Sequence, residues 1–489
     1  MSVLRKILSD SAFTALLSII NILRGFVVLF LIVNLLGPDS YGIWVTIIAA
    51  VSMVSMTASV HLHGALIRYT SSDPSNNQTY SDVLSLATLI GLVTFGIGAI
   101  GSVIFSLYSP TVFGFDTPHD LVFATSTLIA VRIPLKVNLN HPRAKGFVKQ
   151  YEGVRILRNV MEVTALAIIF LLGGNILAGI WGIVGVSVFL NAGIFSYVYI
   201  HSGLPRPEVH NVGKYIRYGV PMVPAALSSS LLADIDKYFL LFLLGPAPVG
   251  IYSVAERVCK PIVNLTGIFN STLYPTIASA WDQGDYEVIE KAYEYIFRYY
   301  TILAFPGAVG LVLVAEPLLN IISTTEIARQ AVPLVPIFIL GYFLKGYDNP
   351  LRYILTSVER TRTIGIAVTL SLLVNVILNL TLIPTMGLSG AAIATLSAQG
   401  VLFFMILYVS FQEVRFEIPW ITLVRCSVAT VVMAVILMLL DLGNSPASEM
   451  LLDIGVGGLS YFAVLFLIGE FSSEDIKLVR EKLQSSLQF

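Results

Sequence analysis

Eight ionisable residues stand inside long apolar stretches of this chain: Arg24, Arg132, Asp234, Asp236, Lys237, Glu256, Arg257 and Lys260. Charges of this kind are rare within membrane-spanning helices, where they face a bundle interior or a water-filled cavity. At the bilayer centre each would cost roughly 2.5–3.5 kcal/mol. Turned toward lipid, the five cations together would cost roughly 12–17 kcal/mol, as much as the whole stability of a domain. Asp234 and Lys237 are spaced i,i+3 and Glu256 and Lys260 i,i+4, so each pair can meet on one helix face as an internal ion pair. Arg24 and Arg132 have no acid within four residues. A guanidinium matches a phosphate bidentately and keeps its proton when partly buried. These two arginines therefore point to an anionic ligand. Lys237, Arg257 and Lys260 are candidate further contacts, and Asp234, Asp236 and Glu256 are candidate cavity acids or ion-pair partners.

Other chemistries find little support. Gly96-Ile97-Gly98-Ala99-Ile100-Gly101 fits a dinucleotide fingerprint, but it lies inside an apolar stretch with no strand before it. Close helix packing through small residues explains it better. No G-K-[ST] occurs, so a P-loop is absent and direct ATP hydrolysis is not expected. His61 and His63 sit two apart, on different helix faces, and no Cys/His cluster or nucleophile set accompanies them. Cys259 and Cys426 both lie in apolar runs, which implies no disulfide framework. A net charge of −1 argues against a nucleic-acid partner. The chain is expected to be no enzyme and to need no cofactor or metal.

The elements that must position the charges follow from composition. Of the 489 residues 56% are hydrophobic and only 12% charged, against about 25% charged in a soluble domain. Mean hydropathy is +0.82. A helix needs about 20 mostly apolar residues to span the hydrocarbon core. That rule predicts an all-α polytopic membrane protein of about 14 transmembrane helices, at 11–36, 41–63, 83–109, 120–137, 154–173, 177–200, 216–244, 249–279, 293–314, 331–347, 363–384, 388–410, 419–441 and 449–470. Lys and Arg collect in cytoplasmic loops. With both termini cytoplasmic, Arg329 is the one cation in the outward loops, while Arg68, Arg143, Lys145, Lys149, Arg206, Arg352 and Arg360 face inward. A multi-pass protein of the cell membrane, expected to be a monomer, is the result. After Phe471 the residues Ile476, Val479, Leu483 and Leu487 recur on one face, predicting an amphipathic cytoplasmic tail over 472–489.

The chain also repeats itself. Leu35-Leu36-Gly37-Pro38 with Gly42-Ile43-Trp44 returns 208 residues later as Leu243-Leu244-Gly245-Pro246 with Gly250-Ile251-Tyr252. The same offset aligns Gly179-Ile180-Trp181-Gly182 with Gly387-Leu388-Ser389-Gly390. Six spans separate the copies, an even number, so both run in the same direction. Two parallel-repeat six-helix lobes, 1–208 and 209–410, are predicted, followed by an appended helix pair at 411–471. Parallel repeats place a substrate site near the midplane. Pro134, Pro221, Pro224 and Pro261 cluster near the charges, as kinks or as hinges.

Asn375-Val376-Ile377-Leu378-Asn379, Leu382-Ile383-Pro384 and Gly387-Leu388-Ser389-Gly390-Ala391-Ala392 resemble the span 11–12 region of the polysaccharide transporters. These are the oligosaccharide flippases of the multidrug/oligosaccharidyl-lipid/polysaccharide exporter superfamily. Val249-Gly250-Ile251-Tyr252-Ser253-Val254-Ala255 resembles the start of span 8 in the same family. The resemblance implies two lobes around a cationic cavity that receives the phosphates and sugars of a polyprenyl-phosphate- or polyprenyl-diphosphate-linked oligosaccharide. Arg24 takes the kind of position at which related lipid-linked precursor flippases keep a cavity arginine. Glycan polymerase or glycosyltransferase machinery would be the protein partners. Asp234, Asp236 and Glu256 depart from a purely cationic lining. The alternative within the superfamily is a multidrug antiporter, which would want carboxylates in the first lobe.

Overall fold

The computed structural model describes residues 2–70, 77–113, 119–203, 205–208, 211–266, 277, 279–440 and 446–471. The predicted tail at 472–489 lies outside them. Among the described residues the structure is helical, without strands. Nine helices among these residues are long and apolar enough to cross a membrane. Exposed Leu, Ile, Val and Phe side chains line most of them, as a lipid-facing surface requires.

Two compact units emerge, each described here by itself. The first comprises 1–253 with 371–394. It contains α1 (Ser2–Ala58), α2 (Leu62–Thr70), α3 (Gln78–Phe113), α4 (His119–Ala144), α5 (Val148–Leu171), α6 (Ile176–Ser202), α7 (Val212–Gly219), α8 (Val223–Leu244) and the start of α9 (Pro246–Cys259). Leu135 and Leu139 of α4 pack with Val186 and Leu190 of α6, and Val154, Met161 and Ala165 of α5 close over them. Three helices thus form a braced core inside this unit.

The second unit comprises 254–370 with 395–489. After α10 (Pro261–Asn264) it holds α11 (Tyr286–Leu313), α12 (Ala315–Ile322), α13 (Thr325–Ala331) and α14 (Val335–Ser357). The boundary between the units cuts α15 (Thr361–Met386) and α16 (Leu388–Glu413) within their lengths. The last pair, α17 (Trp420–Leu439) and α18 (Pro446–Leu467), docks on α11 through Cys426, Met433, Tyr461 and Ile302. The Tyr461 hydroxyl donates to the Ile302 carbonyl at 2.9 Å.

Several boundaries differ from the sequence expectation for local reasons. The first two spans form one helical run bent at Gly37, which adopts φ 85°, a conformation that glycine tolerates without strain. That run ends at Ala58 rather than residue 63, because Val60 and His61 take φ of 45° and 52°. The stretch 249–279 breaks at Lys260-Pro261, and part of it lies outside the described residues. The expected outward loop 315–330 folds largely into α12 and α13.

The repeat motif has a structural counterpart. Gly245, the twin of Gly37, takes φ 92° between α8 and α9. A Cβ on Gly42 would collide with the Pro246 carbonyl oxygen, and one on Gly250 with that of Pro38. Each copy therefore presses its glycine onto the other's turn, a reciprocal close approach that only glycine permits. Gly250→Ala is expected to cost about 1–3 kcal/mol by forcing these backbones apart. Gly185→Ala, where a Cβ meets nothing, should be neutral or slightly stabilising. Thermal unfolding of the purified protein in detergent distinguishes them, and equal melting temperatures would refute the contact.

Candidate anion-binding site

The site is built from three helices of the first unit. Arg24 comes from α1, Arg132 from α4, and Arg158, Asn159 and Glu162 from α5. Arg158 and Glu162 are one helical turn apart and share a face. On α4 the ring of Pro134 lies half a turn beyond Arg132. A chain of side chains steadies that segment. Tyr80 donates to Asn138 at 2.6 Å, Asn138 to Asn191 at 2.8 Å, and Asn191 to the carbonyl of Val131 at 3.1 Å.

Glu162 is the hub. Its carboxylate is 1% exposed and receives the Arg24 guanidinium on Oε2 and Arg132 Nη2 on Oε1 at 3.4 Å. Arg158 Nε lies 3.8 Å from Oε1. Asn159 Oδ1 accepts from Arg24 Nη1 at 3.2 Å and from Arg158 Nη2 at 3.4 Å. Three guanidiniums on one carboxylate leave a net charge of +2. The arginines keep 23–29% of their side-chain surface exposed, so the acid forms the floor and the cations the accessible rim. The Nε donors of Arg24 and Arg158 are buried and have no hydrogen-bond partner. At an effective dielectric of about 20, a unit charge about 4 Å away is worth about 4 kcal/mol, so one carboxylate holds this array together without neutralising it.

The remaining candidates fall into other clusters. Lys237 is buried and pairs with the more exposed Asp234, the geometry of an internal ion pair. Asp236 is buried and accepts from the Tyr252 hydroxyl. In the second unit Glu256 accepts from Lys260 at 2.9 Å and from the Tyr342 hydroxyl at 2.7 Å. Arg257, half-buried, makes no ion pair among the described residues. Nearby in sequence to Tyr342, α14 adds Lys345 and the buried Asp348, which takes Arg352 at 2.8 Å. Local spacing left Arg24 and Arg132 without an acid, and the acid comes from a third helix. The pattern Arg158-x-x-x-Glu162 inside an apolar stretch was the available signal, as was Lys345-x-x-Asp348-x-x-x-Arg352. No cluster of potential metal ligands occurs among the described residues.

Among the described residues the chain is helical, with nine helices long and apolar enough to cross a membrane and a cationic cluster joining three helices of the first unit. The chain belongs to the polysaccharide biosynthesis protein family, which matches residues 31–333. It is 26% identical over 383 residues to the "probable flippase AglR" of Haloferax volcanii, covering 76% of each chain. To the "probable low-salt glycan biosynthesis flippase Agl15" of the same organism it is 21% identical, covering 82% of this chain and 83% of that one. Its fold matches the lipid II flippase MurJ in an inward closed conformation with TM-score 0.74 at 15% identity, over 93% of this chain and 98% of that one. A Pyrococcus furiosus transporter of the MOP superfamily, described as having reverse polarity of its binding pocket, matches with TM-score 0.61 at 14% identity, over 83% and 95%. The chain is thus a multi-pass membrane protein of the polysaccharide biosynthesis protein family, with a fold like that of these solved transporters.

The geometry makes the acid costlier to remove than any one arginine. Glu162→Gln leaves three guanidiniums facing one another and should cost about 3–5 kcal/mol, as for breaking a buried ion pair. Arg24→Gln leaves Glu162 two partners and should cost about 1–3 kcal/mol. Unfolding in detergent would show the order; equal losses would mean that Glu162 is not the hub.

Proposed function

We propose that this protein flips a polyprenyl-phosphate- or polyprenyl-diphosphate-linked oligosaccharide across the cell membrane for the synthesis of a surface glycan. The observation that carries the reading is the net +2 cluster of the part-exposed side chains Arg24, Arg132 and Arg158. A phosphate oxygen is the acceptor that such forks fit best. The family's role in polysaccharide biosynthesis and the flippase names of the relatives support the same cargo.

A lipid-linked sugar presents two problems to a bilayer: its phosphate charge and its hydroxyls. The lipid tail can remain in the hydrocarbon while the headgroup travels through the protein. The arginine cluster offsets the phosphate's loss of hydration, and alternating exposure of the cluster to the two sides carries the headgroup over. With both termini cytoplasmic, loading is from the cytoplasm and release is outward. Any glycosyltransferase or polymerase partner acts before or after this step, and a monomer suffices for it. An antiporter for cationic drugs is disfavoured because Glu162, the buried acid at the cluster, is already shared by three cations.

Arg24→Ala, expressed in a strain lacking the native gene, should abolish surface glycan display with protein level unchanged. Arg24→Lys should restore it only in part, since an ammonium does not reproduce the bidentate fork. Normal display from Arg24→Ala at normal expression would remove this arginine from the transport path.

A further inference from the structure

A second cavity in the first unit lies apart from the arginine cluster and has a different chemistry. It occupies about 790 Å³ between the end of α4, the first turns of α5 and the far half of α6. That volume falls within the roughly 300–1,000 Å³ of small-ligand sites. Its polar end is formed by His141, Lys145, Gln150 and His201, and its walls by residues such as Leu157, Phe189 and Ile194. No carboxylate lines it. The wall residues of α5 and the Glu162 face of that helix are roughly 130° apart at 3.6 residues per turn, so the two sites are separate.

Two features show how the groove arises. Gly153 and Gly193 both line it, and a Cβ on either would meet nothing, so the missing side chains leave open space along its length. His141 is 6% exposed, yet its Nδ1 has no hydrogen-bond partner. That nitrogen has almost no accessible surface, and the imidazole packs against the Tyr80 ring at 4.2 Å, so His141 shapes the wall of the groove. His141 lies in the polar stretch beyond its span, and burial, then Lys145, pushes its pKa down to about 4, so Lys145 supplies the charge. His201 and Phe189 are twelve residues apart on α6, about 18 Å, close to one leaflet of a hydrocarbon core about 30 Å thick.

We propose that this groove binds an anionic phospholipid of the surrounding bilayer, with its phosphate at Lys145 and one acyl chain along the apolar walls. Charge selects the lipid: a cationic mouth without acids favours a net-negative headgroup over a zwitterionic one. Length selects a chain that runs one leaflet deep. The site would tie α4, α5 and α6 to the composition of the membrane on the side where Arg143, Lys145 and Lys149 lie. This proposal does not depend on the cargo.

Native mass spectrometry of the full-length protein in detergent tests it, with phosphatidylglycerol and phosphatidylcholine of equal chain length as probes. Phosphatidylglycerol should bind more tightly than phosphatidylcholine. Lys145→Gln should weaken phosphatidylglycerol about fivefold, the usual worth of one lysine at an anionic surface, and leave phosphatidylcholine unchanged. Gly193→Leu fills the groove without touching charge and should reduce binding of both lipids, while Lys149→Gln, outside the lining, should change neither. Equal binding of the two lipids by the wild type would overturn the proposal. So would wild-type phosphatidylglycerol binding in Lys145→Gln, which tests the charge even if Gly193→Leu fails to fold. Displacement of phosphatidylglycerol by glycerol phosphate at equal concentration would also overturn it, by showing an anion site with no acyl component.

Discussion

One buried carboxylate, Glu162, sets the chemistry of the first unit. Arginines within membrane-spanning helices are tolerated only with partners or water. Glu162 gives three of them a shared partner while leaving their outer faces accessible. Because those arginines come from α1, α4 and α5, the same contact that makes the site also fastens three helices together. The braced core of α4, α5 and α6 and the Tyr80–Asn138–Asn191 chain then keep α4 in register beside it. Site and scaffold are one construction here. Weakening the acid loosens the helices, whereas removing a single arginine chiefly lowers the charge.

A buried acid paired with a more exposed cation recurs in the second unit, there one to one and without the excess positive charge of the Glu162 cluster. Glu256 and Asp348 are buried, with side-chain exposures of 7% and 1%, while Lys260 and Arg352 reach outward at 39% and 26%. Long cationic side chains can place their apolar stems inside and their heads toward water, which short carboxylates cannot do. An acid floor with a cationic rim is the arrangement that satisfies both groups. Lys237 with Asp234 is the inverse case, the cation inside and the acid out. Near the chain's other end Glu470 takes Arg298 and Arg425 and fastens α17 to α11 by the same means.

Much of the fold could be read from the sequence because its causes are local. Apolar length marks the helices, and Gly37-Pro38 and Gly245-Pro246 mark the repeated turns by residue type alone. The reciprocal contact of Gly42 and Gly250 could not be read, since spacing says that two motifs are alike and not that they touch. The cluster divides the same way. Arg24 and Arg132 were visible as intramembrane cations, but their partner lies 30 residues beyond Arg132 on another helix, and no i,i+3 or i,i+4 rule reaches it. Arg158 and Glu162 were legible as an i,i+4 pair on α5, a helix that is not among the nine apolar enough to cross a membrane by composition alone. Helix α1 was divided at Gly37 by its turn residues, where the backbone bends and stays helical on both sides.

The most direct test concerns whether the cluster holds phosphate. Isothermal titration of the purified protein with farnesyl diphosphate, and with farnesol as the uncharged control, isolates the headgroup from the tail. The expected result is diphosphate binding that weakens about tenfold or more in Arg132→Gln, the worth of a charge-assisted hydrogen bond, with farnesol unaffected. Equal affinity of wild type and variant for farnesyl diphosphate would contradict an anion site at Glu162 and its arginines.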